Sequence, residues 1–248
     1  MFIDADDFIA SNGISRLIKL ALDTDADVLK YKINHVVNGM NIINDTDKFL
    51  FKPKEILGRG EALRHYEVSD YHVVDALFKR SVIIANGIYF QEDLHLREDD
   101  VFMCEIYCVA TKVIVVDLPL YQYIVDSPNS STDNPNVKPY RLLVDSNLKA
   151  IEYRRNIVSR NFTDDYFPLE KYKYMRYVYA MERMMLQGQY SYKDYVNVLK
   201  WAQKMNCWPL SYKFIAVARL DFSIKRIIKT FLCNHPFIHY YLFKCLKI

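Results

Sequence analysis

Met1-Phe2-Ile3-Asp4-Ala5-Asp6-Asp7-Phe8-Ile9 opens the chain as an apolar run that stops at three carboxylates within four positions. Read as a half-buried strand, it delivers like charges to one point, where repulsion and desolvation cost several kcal/mol unless a cation or ligand compensates. In an extended chain Asp4 and Asp6 point to the same side while Asp7 begins to turn away. Hard oxygen donors gathered this way suit Mg2+ or Mn2+, which bind through one or two carboxylates and leave other positions to water and substrate phosphates. The plain alternative is a solvated turn or a helix N-cap.

Working outward, Ser11 and Asn12 precede Ile14, Leu17, Ile18, Ala21 and Leu22, whose spacing predicts a helix over 13–23. Val28-Leu29-Lys30-Tyr31-Lys32-Ile33 then reads as a strand. This alternation makes the chain α/β, with the acids beyond the carboxyl end of a strand, where such folds bind ligands. Residues 38–55 read as a polar hairpin or loop and 60–66 as a short helix. The spacing over Val73–Asn86 predicts one helix, closed by a left-handed cap at Asn86-Gly87. Ile88-Tyr89-Phe90 is extended, and a second acidic group follows at Glu92-Asp93 and Arg97-Glu98-Asp99-Asp100. Phe102, Met103, Ile106, Tyr107 and Ala110 place Glu98 to Asp100 in the first turn of a helix, where its dipole alone accounts for acids. Residues 112–116 and 120–123 read as two strands around Asp117–Pro119. The Pro- and Ser-rich stretch 127–139 is a loop, and amphipathic helices are predicted over 140–159, 168–187, 191–205 and 211–230.

Composition removes several function classes. A net charge of +3 over 248 residues, without an Arg-rich or Gly/aromatic pattern, argues against nucleic acid as a partner. Five cysteines without C-x-x-C spacing point to reduced thiols in a cytoplasmic setting, and Cys104 and Cys108 read as core thiols rather than a shared metal site. The opening lacks the basic-then-apolar layout of a secretory signal, and no uncharged apolar run reaches 18 residues.

Taken together, these stretches resemble the acceptor-side half of a bacterial family 2 glycosyltransferase with a GT-A fold. Phe2-Ile3-Asp4-Ala5-Asp6-Asp7-Phe8-Ile9 looks like that family's metal and nucleotide-sugar motif. Leu77-Phe78-Lys79-Arg80-Ser81 and Gly87-Ile88-Tyr89-Phe90 look like the segment leading to its acceptor-side acids. Glu98-Asp99-x-x-Phe102 resembles its Glu-Asp motif, whose Asp is the catalytic base. Pro119-Leu120-Tyr121-x-Tyr123 with Ser130-Ser131 resembles the strand and loop after it. The resemblance implies a partial GT-A (Rossmann-like) mixed sheet over 1–131, a linker over 132–139 and a C-terminal α-helical region over 140–248. It also implies that the family's first 80 to 90 residues are missing, so that an N-terminally truncated enzyme is expected.

The implied chemistry is metal-dependent, inverting transfer from a nucleotide-diphosphate sugar to a hydroxyl of a glycan or lipid-linked acceptor in polysaccharide biosynthesis. Under it Asp4 and Asp6 hold Mn2+ or Mg2+ and the donor, Asp7 is a further ligand or an orienting acid, Asp99 is the general base, and Glu98 holds acceptor or base. Arg97 is assigned to a salt bridge or a phosphate, His95 to a loop, and Tyr121 and Tyr123 to packing or sugar stacking. Within 219–248, Arg219, Lys225, Arg226, Lys229, Lys244 and Lys247 interleave with apolar residues. This pattern fits a helix on an anionic membrane surface, and with it a cytoplasmic protein peripheral to the inner face; a solvated basic helix packed on the domain fits as well. The rival readings are a non-catalytic remnant that only binds, and a Mg2+-dependent phosphatase, for which Phe8 stands where Thr or Val is needed.

Overall fold

The computed structural model describes residues 1–37, 39–43, 52–65, 72–125, 139–163, 168–213 and 223–246. The chain divides into two compact units, Met1–Glu92 with Glu98–Thr132, and Asp93–Arg97 with Asp133–Ile248.

The first unit is a five-stranded mixed sheet with helices, so the chain is α/β. Its elements are β1 (Phe8–Ile9), α1 (Gly13–Thr24), β2 (Val28–Val36), β3 (Pro53–Leu57), α2 (Glu61–Arg64), β4 (Ala76–Phe78), α3 (Arg80–Ala85), α4 (Glu98–Val109) and β5 (Lys112–Ile124). The long central strand β5 runs parallel to β2, which pairs antiparallel with β4. The other side of β5 is shared by β3 against its first half and β1 against its second, both antiparallel. Val28, Leu29, Val113, Ile114, Leu118 and Leu120 from the strands are buried with Leu17 of α1 and Val101, Phe102, Met103, Ile106 and Tyr107 of α4. Cys104 and Cys108 are fully buried, as the helical spacing suggests.

Three expectations need correction. The opening residues are not a strand: Asp4 to Asp7 form a turn, with the Asp7 amide donating to the Asp4 carbonyl at 3.2 Å, and the strand β1 comes after the acids. The Asp4 amide donates to the Tyr121 hydroxyl at 3.0 Å instead of to a ladder, so the apolar run ends on a side chain. The segment 73–86 is not one helix, because the edge of β2 recruits Ala76–Phe78 as a strand, preceded by a 3-10 turn at Val73–Asp75. That turn is fixed from inside: Lys30 Nζ lies 2.6 Å from both oxygens of Asp75, with both residues buried, and the Tyr31 hydroxyl donates to the Val74 carbonyl at 2.7 Å. Finally, β5 is a single strand. Its register against β2 shifts between Lys30 and Ile33, where Lys32 faces Pro119, and this bulge accommodates a residue with no amide hydrogen.

The loop expected over 38–55 gives way at Pro53 to β3, the loop expected over 127–139 lies, but for Pro139, outside the described residues, and several other elements follow the reading. Gly87 adopts φ +59° and closes α3, with its amide on the Ile84 carbonyl and the Ile88 amide on that of Ile83, a paired C-terminal cap that buries Ile88. The predicted helices over 13–23 and from Glu98 appear as α1 and α4.

The second unit contains α5 (Tyr140–Asn161), α6 (Pro168–Gln187), α7 (Tyr192–Lys204), α8 (Ile224–Cys233) and α9 (Pro236–Leu246). On α5 the buried residues Leu143, Val144, Asn147, Ala150, Ile151, Arg154, Ile157 and Val158 make one helical stripe. Where α6 ends, a side chain at Gly188 would lie 2.7 Å from the Met184 carbonyl and 2.8 Å from Tyr140 Cβ, which explains the glycine. Ser191 caps α7, its hydroxyl accepting from the Asp194 amide and donating to the Asp194 carboxylate. Of the helix expected over 211–230, residues 214–222 lie outside the described residues and 224–230 fall in α8; α9 follows after Asn234-His235, with Pro236 opening it where its missing donor costs nothing. No helix among the described residues is long and apolar enough to cross a membrane.

Candidate active site

The first unit brings the two acidic groups of the sequence together. Phe2 sits in a four-ring cluster with Phe78, Phe90 and Phe102, at centroid distances of 5.8, 5.3 and 5.7 Å. Phe90 stacks on Phe102 at 4.5 Å. Because Asp4 follows Phe2 by two residues and Asp99 precedes Phe102 by three, ring packing at the base of the site delivers the opening acids to the first turn of α4. Electrostatics registers the approach from both sides. The Asp4 carboxyl is raised by partial burial, then by the carboxylates of Asp7 and Asp6; His72 opposes the rise and Glu98 adds to it.

Asp99 is the most perturbed acid of the group. Burial, then the neighbouring Glu98, push it up to about 7, with the Val73 amide pulling the other way and Asp100 and Asp4 adding repulsion. That amide donates to Asp99 Oδ2 at 3.4 Å, which leaves Oδ1 outside this bond. A half-buried carboxyl that titrates near neutrality is suited to take a proton from a hydroxyl group.

Asp7 has a different duty. Its Oδ1 accepts from the Ile124 amide at 2.8 Å, tying the acidic turn to the end of β5, while Oδ2 is buried without a hydrogen-bond partner among the described residues. Asp4 and Asp6 are exposed. An Asp4 carboxyl raised by burial and by its neighbours Asp7 and Asp6, together with one orphaned Asp7 oxygen, forms a donor set that a hard divalent cation would relieve, so the residue types fit Mg2+ or Mn2+. Their oxygens do not converge on one point: among the described residues the one group of three His, Cys, Asp or Glu ligand atoms within 4.8 Å of one another is Glu182, Cys233 and His239.

Tyr121, weighed above as a possible sugar platform, is fully buried and positions the acids through the Asp4 amide. Burial, first, and the nearby acids raise its phenol well above the usual range. Tyr123 lies edge-on to His35 at 5.6 Å. Arg97, with φ +75°, belongs to the second unit, where Nε donates to Asn147 Oδ1 at 3.2 Å and the guanidinium covers Tyr177 at 4.7 Å. His95 is an exposed loop residue whose amide donates to Ser146 Oγ. Ser130 and Ser131 lie outside the described residues. The sequence reading missed the four-phenylalanine cluster; aromatic residues flanking both acidic groups were its only trace.

No family model matches the chain, and no curated protein matches its sequence. Solved structures do. The chain is similar to S. aureus TarS 1–349 in complex with UDP-GlcNAc at a TM-score of 0.46 and 15% identity, covering 96% of this chain and 67% of that one. It is similar to the same protein in complex with UDP at 0.42 and 18% identity, covering 84% and 62%, and to S. aureus TarS at 0.42 and 16%, covering 83% and 38%. The chain thus spans less than two thirds of the length of two of these three structures.

Proposed function

We propose that the chain carries the acceptor-side half of a family 2, GT-A glycosyltransferase, with residues 1–131 as that half and 140–248 as a helical appendage. The reaction is inverting transfer from a nucleotide-diphosphate sugar to a hydroxyl of a glycan or lipid-linked acceptor. The observation that carries the reading is the electrostatic contact of the two acidic groups: Asp4 raises Asp99, and Glu98 raises Asp4. One face of a reacting sugar needs compensated negative charge and the opposite face needs a base, and two groups of acids in one place supply that division.

In this mechanism Asp99 takes the proton of the acceptor hydroxyl as its oxygen bonds to the anomeric carbon and the bond to the diphosphate oxygen breaks, which inverts that carbon. Glu98, one residue earlier in the first turn of α4, keeps Asp99 basic and orients the acceptor. Asp4 and Asp6 would hold the cation and through it the donor diphosphate, and Asp7, anchored on Ile124, fixes the turn that presents them. The cation, when bound, neutralises the departing diphosphate. A carboxyl raised to about 7 is protonated below that pH, so kcat/KM is expected to rise with pH through about 7 and then level. A profile that stays flat across neutrality would remove Asp99 as the base.

A second reading, a module that binds without turnover, is favoured by the failure of the opening carboxylates to converge. Calorimetry with UDP and Mn2+ separates the two: heat that Asp4→Asn abolishes supports the enzyme, and heat that Asp4→Asn leaves unchanged supports the other.

The membrane part of the proposal rests on α8. Ile224, Ile227, Ile228 and Phe231 are all exposed at one helical spacing, and Phe237, Ile238, Tyr241 and Leu242 are exposed on α9. Lys225 and Arg226 lie on the same helix, whose first turn holds no acid. Lys229 is otherwise engaged, 3.8 Å over the Tyr179 ring, and Arg219 and Lys247 lie outside the described residues. Vesicles rich in anionic lipid should co-sediment the chain, and Ile227→Glu with Ile228→Glu should release it. Equal pelleting of wild type and the double variant would sink this assignment.

A further inference from the structure

The helical unit buries a set of polar groups that its packing leaves incomplete. Glu182 on α6 is 0% exposed. Its Oε2 accepts from the Tyr195 hydroxyl of α7 and lies 2.9 Å from Nδ1 of His239 on α9, which is also 3.2 Å from the Tyr195 hydroxyl. Oε1 is buried with no hydrogen-bond partner among the described residues. Cys233, in the last turn of α8, is a fully buried free thiol. One ligand atom from each of Glu182, Cys233 and His239 lies within 4.8 Å of the other two.

We propose that Glu182, Cys233 and His239 form a structural Zn2+ site that ties α6, α8 and α9 together. Zinc takes thiolate sulfur, imidazole nitrogen and carboxylate oxygen at about 2.0 to 2.3 Å, so tetrahedral ligands stand roughly 3.3 to 3.8 Å apart. The observed ligand atoms lie within 4.8 Å of one another, at most about 1 to 1.5 Å beyond those separations. Charge also closes: one carboxylate, one thiolate and one neutral imidazole balance a divalent ion, with the Lys229 ammonium a further positive charge acting on Glu182 and Cys233. Tyr195 occupies Oε2, which turns the unpartnered Oε1 toward the ion, and so acts as a positioning residue. A water oxygen supplies the fourth ligand. None of these residues belongs to the acidic site, so the inference stands independently of the proposed transfer reaction.

Metal analysis of the full chain after dialysis against Zn2+ and gel filtration is expected to give one equivalent. Cys233→Ser and His239→Gln should lose it, Cys245→Ser at an exposed thiol should keep it, and Tyr195→Phe should weaken binding about 10- to 100-fold. Zn2+ should raise the Tm of wild type and not of Cys233→Ser. Because a core substitution can prevent folding, Co2+ loaded into the wild-type chain is the second readout, expected to show thiolate-to-metal absorption and tetrahedral d–d bands. No bound metal and no cobalt spectrum in wild type would overturn the site. Zinc retained at full stoichiometry by folded Cys233→Ser and His239→Gln would overturn it equally, leaving a hydrogen-bonded core of Glu182, Tyr195 and His239.

Discussion

Asp99→Asn is expected to lower glycosyl transfer about 10²- to 10⁴-fold, the range a positioned general base supplies, while leaving donor binding intact. The substitution preserves shape and the hydrogen bond from the Val73 amide, and removes the ability to take a proton. Asp99 is not among the charges that raise Asp4, so donor and metal binding should hold. Asp4→Asn gives the opposite pattern, losing donor and metal binding together with turnover. The measurement is kcat on the protein that carries this chain, set against the Kd of the nucleotide sugar with Mn2+. Loss of donor binding in Asp99→Asn would place Asp99 on the donor side and void its role as base. A loss in kcat below tenfold would make Glu98 the better candidate.

Much of this arrangement was legible in the sequence, for physical reasons. The acids at 98–100 precede a helical run, and α4 begins there because its dipole stabilises them. The stripe on α5 and the span of α6 follow from 3.6-residue periodicity. What stayed hidden depends on partners far along the chain. Ala76–Phe78 is a strand only because β2 offers an edge, and nothing in its own spacing distinguishes it from the turn of helix it resembled. The opening run shows a strand pattern, yet its Asp4 amide is taken by a hydroxyl 117 positions away. Asp117 and Pro119 look like a turn and are instead an outward-facing bulge in a continuous strand. In the site, the acids announced themselves by clustering, whereas Phe2, Phe78, Phe90 and Phe102 read separately as ordinary core residues. Buried charges were the least visible, since Lys30, Arg154, Glu170 and Glu182 are residue types that single-sequence reading sends to the surface.

The largest expected effect on stability comes from one of these. Arg154, at the centre of the buried stripe of α5, is 0% exposed and reaches Glu170 of α6 through Nε at 3.2 Å and Nη2 at 2.8 and 2.6 Å. Lys173 closes the group with Nζ 2.9 Å from Glu170 Oε1, and both Glu170 and Lys173 are buried. Glu170→Gln leaves two buried cations facing a neutral amide, which should cost about 3 to 5 kcal/mol. Replacing all three residues by apolar ones of similar volume should cost far less, because no charge is then stranded. Burial by itself would raise the Glu170 carboxyl, but the charges of Arg154 and Lys173 and their hydrogen bonds hold it down at about 2, against 4.5 when unfolded. A depressed carboxylate contributes its stability in full above the unfolded value and loses it as pH falls from about 4.5 through about 2. A shift of that size corresponds to about 3 kcal/mol. Urea midpoints across that window, with amide exchange on α5 and α6 to keep the readout on this unit, test both statements. Wild type should lose stability on acidification and Glu170→Gln should start lower and change less, so that the two curves converge near the bottom of the window. Parallel curves would mean that Glu170 is not the carboxylate through which acid loosens the α5–α6 pair.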